Sequence, residues 1–179
     1  MLLKLIVYLA PVYVGSGLYI NWVIHHKEQS LIRKAILFLF FFYVISVIYI
    51  TLFPFPLDPA ALETIQLYGF QKGSTNLIPF KSSMSSKQAL LNFIMLFPLG
   101  VMMPLVYKTM KTRKIILILL ITPLSIEVIQ GLGSWLMQGR WKQADINDFM
   151  LNAVGALIGL LIYQIMDKNF PKMMSILKR

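Results

Sequence analysis

The stretch TPLSIEVIQ, Thr122 to Gln130, sets a carboxylate, Glu127, three residues before an amide, Gln130, inside an apolar run. Fifteen residues further on, DINDFMLN brings Asp145, Asp148 and Asn152. Two carboxylates in different surroundings are a usual acid/base arrangement. Carboxylates, amides and an arginine such as Arg140 can equally orient the polar groups of a bound ligand. An ionisable group inside a membrane segment is costly, which makes Glu127 a functional candidate by default. Glu127 and Asp148 are the candidate acid and base; Gln130, Arg140, Asp145 and Asn152 complete the candidate ligand set.

Helical geometry groups these residues. At about 100° per residue, Glu127, Gln130 and Ser134 fall within about 60° of one another, one stripe on their helix. Measured from Asp145, Asp148 lies at about 300°, Asn152 at about 340°, Gly155 at about 280° and Gly159 at about 320°, so these five share an arc of roughly 80°. A rise of 1.5 Å per residue puts Glu127 roughly 18 Å from the start of its segment, in the outer half of a core about 30 Å thick. Asn152 lies roughly 8 Å in from the other end of the next segment. A short connection makes the two segments neighbours, and the two polar stripes converge on a cavity open to the outside.

The elements that carry them are membrane spans. The chain has 179 residues, 58% hydrophobic and 13% charged, against about 25% charged in a soluble domain. Five apolar runs approach the roughly 20 residues a span needs: Leu5 to Ile24, Ala35 to Phe53, Ala89 to Tyr107, Ile115 to Trp135 and Asn147 to Met166. The first continues past any Gly-Ser-Gly cleavage point and reads as a span rather than a signal peptide. The expectation is one all-α integral membrane domain over residues 1–179, a bundle of about five transmembrane helices. Asn92, Pro98, Gly100 and Pro104 suggest local irregularity in the third.

Charge sets the orientation. Eleven Lys and Arg fall in the second-span entry, the KTMKTRK connection and the C-terminal tail, against six on the opposite side. The positive-inside rule makes the richer side cytoplasmic, with the N-terminus outside and the C-terminus inside. The net charge of +10 then belongs to topology and to anionic lipid headgroups, not to nucleic acid. In the long outer connection, Asp58-Pro59 followed by ALETIQLY and Gly69 reads as a short interfacial helix. With no cysteine, thiolate metal sites and disulfides are excluded. His25 and His26 are adjacent and point to different sides of a helix, a poor metal pair. No P-loop, dinucleotide-binding glycine pattern or hydrolase triad occurs, so no cofactor and no metal are expected. Nothing in the sequence sets an oligomeric state.

Each candidate also has a structural role to weigh. Asp145 is suited to N-cap the last span. Gly155 and Gly159 form a GxxxG that favours close helix packing. Gln130 and Asn152 can hydrogen-bond between helices, and Arg140, Trp141 and Lys142 can anchor the outer interface.

The ordered set Asn76-Leu77-Ile78-Pro79-Phe80, Asn92 with Pro98-Leu99-Gly100, then Ser125, Glu127, Gln130, Arg140, Asp145, Asp148, Asn152, Gly155 and Gly159 resembles the VanZ-like membrane family, over roughly residues 35–165. The E-x-x-Q pair and the R-x4-D-x2-D-x3-N-x2-G-x3-G run carry most of the resemblance. It implies a bacterial cytoplasmic-membrane protein linked to resistance to teicoplanin-type glycopeptides, which act outside the cell on peptidoglycan precursors. It also adds Asn76 and Asn92 to the candidate site.

Two functions follow as expectations. In the first, the protein binds membrane lipids together with a lipid-linked peptidoglycan precursor or the acyl tail of a lipoglycopeptide, and lowers drug access. In the second, it is an intramembrane enzyme acting on a lipid-linked envelope substrate through Glu127 and Asp148. A transporter ranks below both, because five spans are few and no inverted repeat is visible.

Overall fold

The protein is described by a computed structural model covering residues 2–25, 29–53, 75–80, 84–136 and 141–178. Among the described residues it is all-helical, with six helices: α1 (Leu2–His25), α2 (Leu31–Leu52), α3 (Ser86–Val106), α4 (Thr112–Leu136), α5 (Ile146–Asn169) and α6 (Pro171–Leu177). Four of these, α2 to α5, are long and apolar enough to cross a membrane. The 24-residue α1 also has the length of a span. The expected interfacial helix after Asp58 and the candidate Arg140 lie outside the described residues.

The helices start earlier than hydropathy indicates because their first turns are polar and capped. The Ser30 hydroxyl accepts from the Arg33 amide at 3.2 Å, and that of Ser85 from the Gln88 amide at 3.2 Å. A capped first turn needs no apolar side chain. α3 runs as one helix through Pro98 and Pro104, so the expected irregularity does not interrupt it. Neighbouring side chains hold it on the α2 side: Tyr43 Oη donates to the Met95 carbonyl at 2.7 Å.

The core centres on α3 and α5, with α2 and α4 flanking them. Leu96, Leu119 and Ala156 are fully buried there. α3 and α5 cross with their backbones in contact. A Cβ on Gly155 would overlap the Phe93 carbonyl oxygen, and one on Gly159 the Phe97 carbonyl oxygen. Only glycine permits that approach. The outward faces carry large exposed apolar side chains, among them Phe38, Phe42, Leu124 and Leu132, the surface of a protein that meets lipid.

Polar contacts fasten both ends. At one end, the buried Arg33 of α2 donates to the Leu105 and Val106 carbonyls at 2.5 and 2.6 Å. These are last-turn carbonyls of α3, which lack helical partners. Below them α6 buries Met174, and Lys178 pairs with Asp167 at 2.5 Å. At the other end, residues 75–80 dock beside the start of α5. The Asn76 amide donates to the Ala144 carbonyl at 3.0 Å, and the Ile146 amide to the Asn76 carbonyl at 2.9 Å.

Candidate functional site

The site lies at the end of the bundle where α4 hands over to α5. Asp145 N-caps α5, its Oδ1 accepting from the Asn147 amide at 2.8 Å. The same oxygen accepts from Asn76 Nδ2 at 3.0 Å. The capping role weighed for Asp145 is therefore present, joined to a tether for residues 75–80. Asn147 extends that tether: its Oδ1 accepts from the Phe80 amide at 2.9 Å, where Phe80 turns with a φ of 60°.

Glu127 reaches the same point from α4. It is 7% exposed, and its Oε2 accepts from the Asp145 amide at 2.8 Å. That amide precedes the first turn of α5, so the carboxylate also sits favourably at a helix N-terminus. One turn on, Gln130 Nε2 donates to the Thr51 carbonyl at 2.9 Å, closing the last turn of α2 against α4. Asp148 faces α3, where its Oδ1 accepts from Asn92 Nδ2. The α3–α5 glycine contact makes this possible, since it brings the two helices close enough for short side chains to meet.

Asn152 lies one turn below Asp148. It is 1% exposed, and its Oδ1 has no hydrogen-bond partner among the described residues. A buried acceptor left unpaired costs about 1–3 kcal/mol, so its position asks for a reason other than stability.

These groups surround one cavity of about 410 Å³. Glu127, Gln130, Asp145, Asp148, Asn92 and Asn152 line it, together with Thr51, Gln88, Trp141 and Lys142. Lys142 Nζ donates to the Ile50 carbonyl. Burial lowers the pKa of this half-buried lysine from the usual ammonium value. Trp141 is seated against Gly133, where a Cβ would strike its ring. The described lining thus bears three carboxylates and one ammonium. Glu127 and Asp148 share the cavity without a direct hydrogen bond: Glu127 accepts from the Asp145 amide and Asp148 from Asn92.

Glu127, Gln130, Asp148 and Asn152, the four residues expected to converge from helical spacing, depth and the short connection, line one cavity in the structure. Asn76 fastens residues 75–80 to the start of α5 rather than lining the cavity, whereas Asn92 lines it. Gly155 and Gly159 stand at the α3–α5 crossing. Sequence reasoning missed Thr51, which is 4% exposed and presents its carbonyl to Gln130. Its only signal is a polar residue at the C-terminal end of an otherwise apolar run.

A family model described as VanZ/LLP1 matches residues 40–167, the range that holds every described group of the cavity. Protein VanZ of Enterococcus faecium is 23% identical over 130 residues, which span 71% of this chain and 72% of that protein. No solved structure matches the chain. On the family match over most of its length, the chain belongs to the VanZ/LLP1 family.

Proposed function

We propose that the protein binds a cell-envelope amphiphile at the outer leaflet of a bacterial cytoplasmic membrane and thereby lowers the access of teicoplanin-type glycopeptides to their target. The amphiphile is a lipid-linked peptidoglycan precursor or the acylated drug itself. The supporting observation is the cavity at the α4–α5 end, where polar side chains from α3, α4 and α5 converge in a bundle otherwise faced with apolar residues. The bias of Lys and Arg towards the opposite end supports an outward-facing cavity. In this reading Lys142 and Arg140 hold an anionic headgroup, and Glu127, Gln130, Asp148 and Asn152 orient the rest. Deletion of the gene raises sensitivity to teicoplanin. Unchanged sensitivity in a strain that normally expresses the protein well would overturn the reading.

The burial of two carboxylates on one cavity also favours a second reading, an intramembrane enzyme with Glu127 as acid or base and Asp148 as its partner. Glu127→Gln separates the two. It keeps an acceptor for the Asp145 amide but transfers no proton, so an enzyme loses its activity while a binding protein retains part of its protection.

A further inference from the structure

The cavity holds side-chain acceptors that are only partly used. Glu127 uses Oε2 on the Asp145 amide and Asp148 uses Oδ1 on Asn92, which leaves one oxygen of each carboxylate available. Among the described residues neither has an ion-pair partner. In the described lining three carboxylates accompany one ammonium, that of Lys142. Like charges gathered in a poorly solvated space repel, and an entering cation relieves them. The buried, unpaired Asn152 Oδ1 adds a third acceptor on the same cavity.

A primary ammonium fits this set. It carries one positive charge and three N–H donors, against one acceptor from each of three side chains. A quaternary ammonium carries the charge but has no donor for Asn152. A metal ion fits poorly, because no His, Cys, Asp or Glu cluster among the described residues has the arrangement to hold one.

The cavity also has an apolar neighbour. Thr51 and Ile126 line both it and a second cavity of about 270 Å³ between α2 and α4, whose other walls include Val47, Leu99, Ser125 and Ile129. This second space is apolar and opens on the lipid-facing side of the bundle. A polar chamber that shares two wall residues with an apolar groove has the form of a headgroup site beside a chain site.

We infer that the ligand is a membrane amphiphile with a primary ammonium in its headgroup, the ammonium held by Glu127, Asp148 and Asn152 and the chain lying in the groove between α2 and α4. The inference rests on the binding function proposed above and names its ligand class.

The test uses the purified full chain in detergent, with bound lipid counted by native mass spectrometry. The probes are lysophosphatidylethanolamine, lysophosphatidylcholine of the same acyl chain, and free ethanolamine. The two lipids share chain and phosphate and differ only at nitrogen. The ethanolamine lipid binds at least about tenfold more tightly, the size of one charge-assisted hydrogen bond lost. Free ethanolamine does not displace it at equal concentration. Glu127→Gln and Asn152→Leu bring the ratio of the two lipids close to one. Ser125→Trp, at an exposed groove position and checked for an unchanged melting temperature, weakens both lipids alike. Equal binding of the two lipids by the wild-type chain overturns the ammonium site. Displacement by free ethanolamine points to a soluble amine, and an inert Ser125→Trp removes the chain from the groove; either also overturns the inference. A strain that becomes teicoplanin-sensitive on deletion while its protein ignores the nitrogen loses this inference but keeps the proposed function. Lipid selectivity without a drug phenotype does the reverse.

Discussion

Glu127 Oε2 accepts a hydrogen bond from the backbone amide of Asp145 at 2.8 Å. This contact ties the polar turn of α4 to the first residue of the α5 cap, and it decides how the two carboxyl-bearing helices meet. The acceptor is buried, so its loss strands the Asp145 amide, at a cost of about 1–3 kcal/mol. Glu127→Ala is therefore expected to destabilise the protein by about that amount. Glu127→Gln retains an acceptor and is expected to cost less than about 1 kcal/mol. Thermal unfolding in detergent, followed by circular dichroism, compares the two.

The glycines of the α3–α5 crossing give a second expectation. The obstacle to a side chain at Gly155 is the Phe93 carbonyl, a backbone atom that cannot swing aside. Gly155→Ala is expected to destabilise by about 1–3 kcal/mol, as overpacking does. Gly17 of α1 has nothing within 4 Å of a Cβ. Gly17→Ala is expected to be neutral or to stabilise by up to about 1 kcal/mol through helix propensity. The folded yield and melting temperature of the two alanine variants, measured side by side, check this contrast.

Much of this arrangement was legible in the sequence, for reasons that differ by residue. Glu127, Gln130 and Asn152 stood out because a polar group in an apolar helix is rare and expensive, and helical periodicity then fixed their common face. The helix starts at Leu31 and Ser86 were less legible, because a serine cap lets a polar first turn join the helix and hydropathy does not see it. The close α3–α5 crossing showed in its GxxxG, but not the partner it meets, since spacing identifies a face and not its neighbour. Arg33 was read as a topology charge. Only the fold reveals that it lies under the end of α3.

That arginine carries a third prediction. Its two terminal nitrogens span two successive carbonyls at the α3 C-terminus, where positive charge also complements the helix dipole. Arg33→Met is expected to cost about 2–3 kcal/mol. Arg33→Lys recovers only part of this, because one ammonium does not reproduce the planar fork. Melting temperatures of the two variants in the same detergent test the order wild type, lysine, methionine.

Topology gives a fourth. The natural chain has no cysteine, so single cysteines report cleanly. Gln143→Cys, on the connection beside the cavity, is expected to react with a membrane-impermeant maleimide in intact cells. Lys111→Cys, between α3 and α4, is expected to react only after the cells are opened. The reverse pattern would place the cavity on the cytoplasmic side and remove the basis for an outer-leaflet role.

The central claim is that the cavity exists to bind and not to stabilise, and Asn152 separates these most cleanly. Its unpaired, buried Oδ1 costs stability, so Asn152→Leu, of similar volume, is expected to fold at least as stably as the wild type and to gain up to about 1 kcal/mol. The decisive measurement is the teicoplanin sensitivity of a deletion strain complemented with Asn152→Leu or with wild type at matched expression. The account predicts a variant that is stable in the membrane and fails to protect. A variant that protects as well as the wild-type protein would contradict it.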